Sequence, residues 1–417
     1  MTRVRKALRE ISRIPGPGVV TGASDDDPSG IATYAITGAQ AGYSLLWTNL
    51  LLIPLGSAIQ EMCARIGLVT GSGLATSLRS HYPRWSLLTL VSLLLVANMV
   101  NVGADIVAVA EGMELLTGLK SEAIALPIGI AIAATEVLVP YRLFARYLRV
   151  LTLVLFAYVV DAFVVSPDWS RALRHTFVPT IRLDAAFLAT VVANFGTTIT
   201  PYLFFWETSD EIADMHQRHV RAGDEAELRR ARFDVDAGMI LANVAAWFIV
   251  LTAAATLYPA GIHHIGTARE AAEALRPLAG DNAASLFAVG LIGMGLLGIP
   301  VLAGSSAFAL AEVFDWREGL DRKPVEAPQF YVVIVLGTLV GLLVVLSGLG
   351  AIRALFVAAV LNGLIAPILI AAIMIVGNDR RLLGAHRNGP VSNLLGLVTT
   401  VVMASAAVAM VLAFAVG

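Results

Sequence analysis

The chain has 417 residues, 57% hydrophobic and only 14% charged, with a formal net charge of −2 and a mean hydropathy of +0.77. Ordinary soluble domains carry about 25% charged residues, so the composition excludes a soluble domain and indicates an all-α integral membrane protein whose first partner is the lipid bilayer. The single cysteine, Cys63, excludes a disulfide framework or a cysteine-built metal cluster within one chain.

In chain order, the basic stretch MTRVRKALREISR lacks the apolar core and small-residue cleavage site of a signal peptide, so it is expected to be retained. Apolar runs then recur that can cross a hydrocarbon core of ~30 Å, which takes about 20 helical residues. Eleven spans are predicted, at 14–42, 44–66, 85–116, 121–139, 144–165, 185–216, 237–258, 282–314, 329–348, 350–376 and 394–416. Placing the N-terminus in the cytoplasm puts 22 of the 29 Lys and Arg on the inner face and 7 on the outer one. The excess predicts an inside N-terminus and an outside C-terminus, in the cell membrane. Basic runs such as ELRRARF at 227–233 are expected to set this topology rather than to bind a ligand.

Two spans carry a polar run ending in an X-Pro pair at bilayer depth. Proline removes a backbone donor and disfavours helical geometry in the residue before it. Asp27-Pro28, within SDDDPSG, is expected to break the first span, and Thr200-Pro201, within TTITPY, the sixth. Pro140, Pro300 and Pro367 have no such polar flank and are expected to be ordinary kinks. The breaks head two sets of five spans. Sets of five must have opposite topology, the signature of an inverted repeat. The whole chain, 1–417, is thus expected to be one membrane domain, with repeats at 14–165 and 185–376 and an extra helix at 394–416.

An unwound segment frees backbone carbonyls, and the C-terminal end of a half-helix carries partial negative charge. With the Asp27 carboxylate added, the breaks should bind a cation. All seven histidines fall in loops or at span ends and no methionine lies between Met113 and Met215, so the breaks offer oxygen alone. Carboxylate, carbonyl and water suit Mg²⁺, Ca²⁺ and Mn²⁺, and Mg²⁺ binds through one or two carboxylates plus retained waters. Asp27 is expected to be the charged ligand, Thr197 and Thr200 to add hydroxyl or carbonyl oxygens, and Gly30 to leave room for a hydrated ion. Asp26, Gln60, Asp105, Glu207 and Asn362 are candidates for an ion path, Asp26 as a vestibule residue, with helix-to-helix hydrogen bonding as the competing role of Gln60 and Asn362. Asp105, Glu111, Glu136, Asp161 and Glu207 are also candidates for a proton relay, with pairing within the bundle or a place at a wet end as the competing role of each. Gly38, Gly42, Gly290, Gly293 and Gly298 are expected to permit close helix packing.

At these residues the chain resembles the NRAMP (natural resistance-associated macrophage protein) divalent-metal transporters. GPGVVTGASDDDPSGIATYAITGAQAGYSLLW and QEMCARIGLVTG are similar to the family's first two spans, whose first break reads DPGN, and Thr200-Pro201-Tyr202 stands where the family has MPH. The resemblance implies a LeuT-type fold of two inverted five-helix repeats with broken helices 1 and 6, and alternating access to a midplane metal site. Here the family's Asn is Gly30, its Met is Thr200, its His is Tyr202, and the Glu three residues after Asp105 is Ala108. DDDPSG and TP are similar to the NRAMP-related magnesium transporters (NRMT). That branch implies Mg²⁺ and Mn²⁺ as transported ions and no proton coupling. The alternative is a proton-coupled Mn²⁺/Fe²⁺ importer; an intramembrane aspartyl hydrolase pairing Asp27 with a second Asp, and a passive channel, are further alternatives. No enzymatic activity, cofactor or nucleic-acid partner is expected.

Overall fold

The structure is a computed structural model that describes residues 27–139, 156–320 and 322–416, and every regular element among them is helical. The principal helices are α1 (Pro28–Ala41), α2 (Leu46–Thr70), α3 (Leu74–Arg79), α4 (Arg84–Thr117), α5 (Ser121–Leu138), α6 (Phe156–Val165), α7 (Trp169–Phe177), α8 (Ala185–Thr198), α9 (Pro201–Gln217), α10 (Glu225–Thr256), α11 (Ala283–Phe314), α12 (Pro328–Leu346), α13 (Ala351–Gly377) and α14 (Pro390–Val416). Among the described residues nine segments are long and apolar enough to cross a membrane. The count falls below eleven for two reasons. Residues 28–70 run through a 3₁₀ turn as one segment covering two expected spans, and only the end of the 144–165 span, as α6, lies within the described residues.

The prolines divide as their flanks predict. Pro201 opens a helix, with Thr200 extended before it, and α8 ends at Thr198, so the sixth span is interrupted at Ile199–Thr200. Pro28 likewise opens α1, behind an extended Asp27 whose carboxylate accepts from Gly30 N. A proline at the first helical position forfeits no hydrogen bond, and an aspartate before it caps the free amides. The half-helix expected before Asp27 lies outside the described residues. By contrast Pro54, Pro127, Pro300 and Pro367 lie inside continuous helices; Pro140 is outside the described residues.

Helix α1 packs on α10, α8 and α13, while α4 runs along α11, α12 and α13 and α9 lies against α2 and α11. The elements that begin or end at the two breaks therefore share one interior, closed by α4 and α11. Large apolar side chains of α12 and α14, among them Leu336, Leu343, Val401, Val408 and Leu412, point outward. That is the surface a bilayer solvates, since the hydrocarbon is as apolar as the side chains. Gly38 behaves as expected of a packing glycine: a Cβ there would overlap the Val250 carbonyl of α10. Gly42 does not. Its φ of +56° ends α1, a conformation that L side chains rarely adopt, and its neighbour, the Tyr258 ring, is at ordinary contact distance.

Candidate functional site

Asp27 is buried and its carboxylate is gripped on both oxygens. Oδ1 accepts from Ser29 Oγ at 2.5 Å and Gly30 N at 3.1 Å; Oδ2 accepts from Asn101 Nδ2 at 3.1 Å and the Tyr202 hydroxyl at 3.3 Å. These donors come from α1, α4 and α9, so one side chain ties the first break to the second. Ser29 Oγ also lies 3.1 Å from Thr197 Oγ1, and the Tyr34 hydroxyl 2.8 Å from Thr198 Oγ1, stitching α1 to the end of α8. All four donors to Asp27 are neutral. They orient the carboxylate without cancelling its charge, and a buried unpaired charge is costly enough to attract a counterion.

A second carboxylate adjoins the first. Asp105 is fully buried one turn beyond Asn101 on α4, and among the described residues neither of its oxygens has a hydrogen-bond partner. Gly298 of α11 faces both: a Cβ there would stand 3.2 Å from Asp27 Cβ and 3.4 Å from Asp105 Oδ2. The absent side chain is what lets α11 approach the pair.

The other expected residues are placed as follows. Gly30 reaches the site through its amide. Thr200 caps α9 at the second break, fully buried, with its hydroxyl unpartnered among the described residues. Gln60 and Asn362 are buried, and neither amide makes a hydrogen bond among the described residues, so the helix-to-helix role weighed against an ion role is not realised in this structure. Gln60 lies on the face of α2 that meets the second break. Gly56, one turn before it, approaches Ile199, and the carbonyl of Cys63, one turn after it, accepts from Thr208 Oγ1. Asn362 adjoins Gly363, where α13 packs against Val192 of α8. Glu207 is buried two turns along α9 from Thr200, beside Cys63, and is not among the donors and hydroxyls around Asp27. Asp26 lies outside the described residues. Glu111 caps two chain segments, accepting from Ala268 N at 3.1 Å and Ala351 N at 2.7 Å, and Glu136 accepts from Thr338 Oγ1.

Sequence reasoning did not find Asn101 and did not assign Tyr202 to Asp27. A signal for the first exists: Asn98, Asn101 and Asp105 recur at intervals of three and four along an otherwise apolar helix, which puts them on one face. Asn98 uses that face to hold α11, donating to Leu302 O and Ser306 Oγ.

Around this centre the available atoms are carboxylate, hydroxyl, amide and main-chain oxygens. Among the described residues no three His, Cys, Asp or Glu side chains converge as a metal cluster would. The last carbonyls of α8 have no intrahelical donors, while α1 and α9 direct their positive ends to the same interior. Such a place can hold a small hard cation through one or two carboxylates, with water completing its shell.

Comparison with known proteins agrees with this architecture. The family model "natural resistance-associated macrophage protein-like" matches residues 18–413. A divalent metal cation transporter MntH of Acidiphilium cryptum is 29% identical over 386 residues, covering 89% of this chain and 83% of its own. One from Yersinia pestis is 26% identical over 417 residues, 96% and 95% of the two chains. Among solved structures, an Eremococcus coleocola manganese transporter in complex with an aromatic bis-isothiourea compound superimposes with TM-score 0.75 at 17% identity, over 94% of this chain and 85% of that one. The nucleobase-cation-symport-1 transporter Mhp1 in a closed conformation gives 0.59 at 14% identity, over 95% and 92%. The fold is thus the LeuT-type arrangement, and the chain is a multi-pass membrane protein of the Nramp family.

Proposed function

We propose that this protein carries divalent metal cations across the cell membrane by alternating access, with Mg²⁺ as its principal cargo, Mn²⁺ also accepted, and no coupled proton. The observation that carries the reading is the buried Asp27 carboxylate at the junction of the breaks, oriented by four neutral donors, two of them the hydroxyls of Ser29 and Tyr202. Asp27 is the charged ligand. Thr197 and Thr200 contribute oxygens, Gly30 leaves space, and retained waters complete an octahedral shell, as Mg²⁺ requires. Gln60 and Asn362, whose buried amides lack partners among the described residues, meet the ion or its waters as it moves. Residues 14–165 and 185–376 are the inverted repeats that rock about this centre, with 394–416 outside them. The N-terminus is cytoplasmic, the C-terminus is outside, and a negative-inside potential draws the ion inward.

A second reading, a proton-coupled Mn²⁺ importer, is favoured by one observation. Asp105 provides another buried carboxylate beside Asp27, where a proton could ride. Uptake of Mg²⁺, Mn²⁺ and Ca²⁺ into proteoliposomes loaded with a pH dye separates the two. Mg²⁺ entry without acidification of the lumen is expected; rejection of Mg²⁺ together with Mn²⁺-driven acidification would establish the importer instead.

A further inference from the structure

Away from the membrane interior, a cavity of about 200 Å³ opens between α2, the start of α10 and the segment leading into α14. Its lining includes Arg65, Arg229, Arg232, Arg387, His386 and Glu61. All three contributing segments lie at helix termini, the C-terminal end of α2 and the N-terminal ends of α10 and α14. Arg65 is one turn from the end of α2, Arg229 and Arg232 lie in the first two turns of α10, and Arg387 is three residues before α14. The cavity is several times the ~30 Å³ that a water occupies in the liquid, and it lies beside the ends of helices long and apolar enough to cross a membrane.

Its charge is not balanced from within. Four guanidinium groups face Glu61 in the wall and Glu225 at the rim, an excess of two positive charges. The pairs that do form on the α10 side are loose: Arg232 Nε is 3.9 Å from Glu61 and Arg229 is 3.8 Å from Glu225, against the 2.7–2.9 Å usual for charge-assisted hydrogen bonds. Arg387 makes no ion pair among the described residues. The same turns of α10 show what a satisfied network looks like. Arg230 lies 2.6 Å from Glu227 and 3.0 Å from Asp214, and Arg218 pairs with both carboxylates. Arg230 faces its carboxylates closely, whereas its neighbours Arg229 and Arg232 keep most of their surface free, with side chains 72% and 64% exposed.

At the floor, Arg65 is only 14% exposed and is held by neutral partners and one carboxylate: Nη2 donates to Asn388 Oδ1 at 2.6 Å and Ser392 Oγ at 3.3 Å, and Nη1 to Glu61 at 3.2 Å. Its Nε is buried and has no partner among the described residues. A fixed guanidinium at the bottom, two loosely paired ones at the rim and the unpaired Arg387 suit planar, multidentate recognition of phosphate.

We infer that this cavity binds a phosphate-bearing anion, either the headgroup of an anionic lipid or a free phosphate compound, and that Arg229, Arg232 and Arg387 are its principal contacts. The basic run ELRRARF then does more than set topology. Its three arginines divide, Arg230 to an internal network and Arg229 and Arg232 to a ligand site, and a bound anion would clamp α2 to α10 and to the entry of α14.

The test uses the purified full-length protein in detergent micelles, titrated in parallel with phosphatidylglycerol, phosphatidylcholine and inorganic phosphate. Bound ligand is counted by native mass spectrometry and checked by the rise in melting temperature. The inference expects saturable one-to-one binding of phosphatidylglycerol or of phosphate. Each arginine near a membrane surface is worth roughly fivefold, so the R229Q/R232Q/R387Q variant should bind on the order of a hundredfold more weakly. A charge-matched control, R317Q/K323Q/R381Q, should bind like the wild type. Saturable retention of phosphatidylglycerol alone identifies a headgroup site, and of phosphate alone a soluble ligand; both uphold the inference. Should the triple variant not fold, Arg387→Gln alone should weaken binding about fivefold. Equal losses in variant and control, or binding that never saturates, would reduce the cavity to diffuse surface charge and overturn the inference.

Discussion

Replacing Asn101 by leucine tests how the carboxylate at the centre of the site is held. Asn101 Nδ2 donates to Asp27 Oδ2 at 3.1 Å, and the only other donor to that oxygen among the described residues, the Tyr202 hydroxyl, stands at 3.3 Å. Leucine keeps much of the volume and removes the donor, so Oδ2 is left with the longer contact and the carboxylate gains freedom to turn. A hydrogen bond to a charged group contributes about 1.5–3 kcal/mol. At 1.4 kcal/mol per factor of ten, that is roughly 10- to 100-fold in affinity, the range also found for groups that orient metal ligands from the second layer. The assay is the initial rate of Mg²⁺ uptake into proteoliposomes as a function of Mg²⁺ concentration. Asn101→Leu should raise KM by that factor while the maximal rate changes less. An unchanged KM in a variant that folds and inserts normally would refute the assignment of Asn101 as the residue that positions Asp27.

Gly298→Val should abolish uptake in a protein that still inserts, because even a single Cβ at 298 would press on Asp27 and Asp105; near-normal transport would show that α11 does not bound the ion's place. Gln60→Leu and Asn362→Leu should slow uptake at least several-fold without lowering the melting temperature, since each removes a buried amide that has no partner among the described residues; a loss of stability in both would mark them as structural instead. Glu318 follows α11 outside the membrane, and burial pushes its carboxyl from 4.5 up to about 7, against the lowering effect of Arg322. The folded chain therefore keeps this proton at a pH where the unfolded chain has lost it, and stability falls as pH rises between those two values. Glu318→Gln should raise the melting temperature at pH 8 and leave it unchanged at pH 4; equal gains at both would contradict that origin.

The positions of the helices were legible because lipid leaves a chain few choices. Every backbone polar group must be satisfied internally, so long apolar runs become helices. Pro28 and Pro201 could be told from Pro300 and Pro367 by the polar residues before them, which mark backbone that is worth unwinding. Asp27 followed from the same argument. Its partners did not, because the contacts of Asn101 and Tyr202 with Asp27 span 74 and 175 residues of sequence. Those contacts depend on how α4 and α9 rotate against α1, and no local pattern encodes that rotation. Gly42 was misjudged for a related reason: a glycine that ends a helix and one that admits a neighbour read alike until φ is known. Asp105 was visible as an anomaly in an apolar helix, but the close approach of α11 to it and to Asp27 depends on Gly298, which lies in the second repeat.

The central claim is that the ion crosses through the Asp27 site, and uptake by Asp27→Ala tests it most directly. Under a negative-inside potential, wild-type proteoliposomes should accumulate Mg²⁺, and Asp27→Ala proteoliposomes of equal protein content should do so no faster than empty vesicles. Mg²⁺ uptake by Asp27→Ala at the wild-type rate would contradict the account.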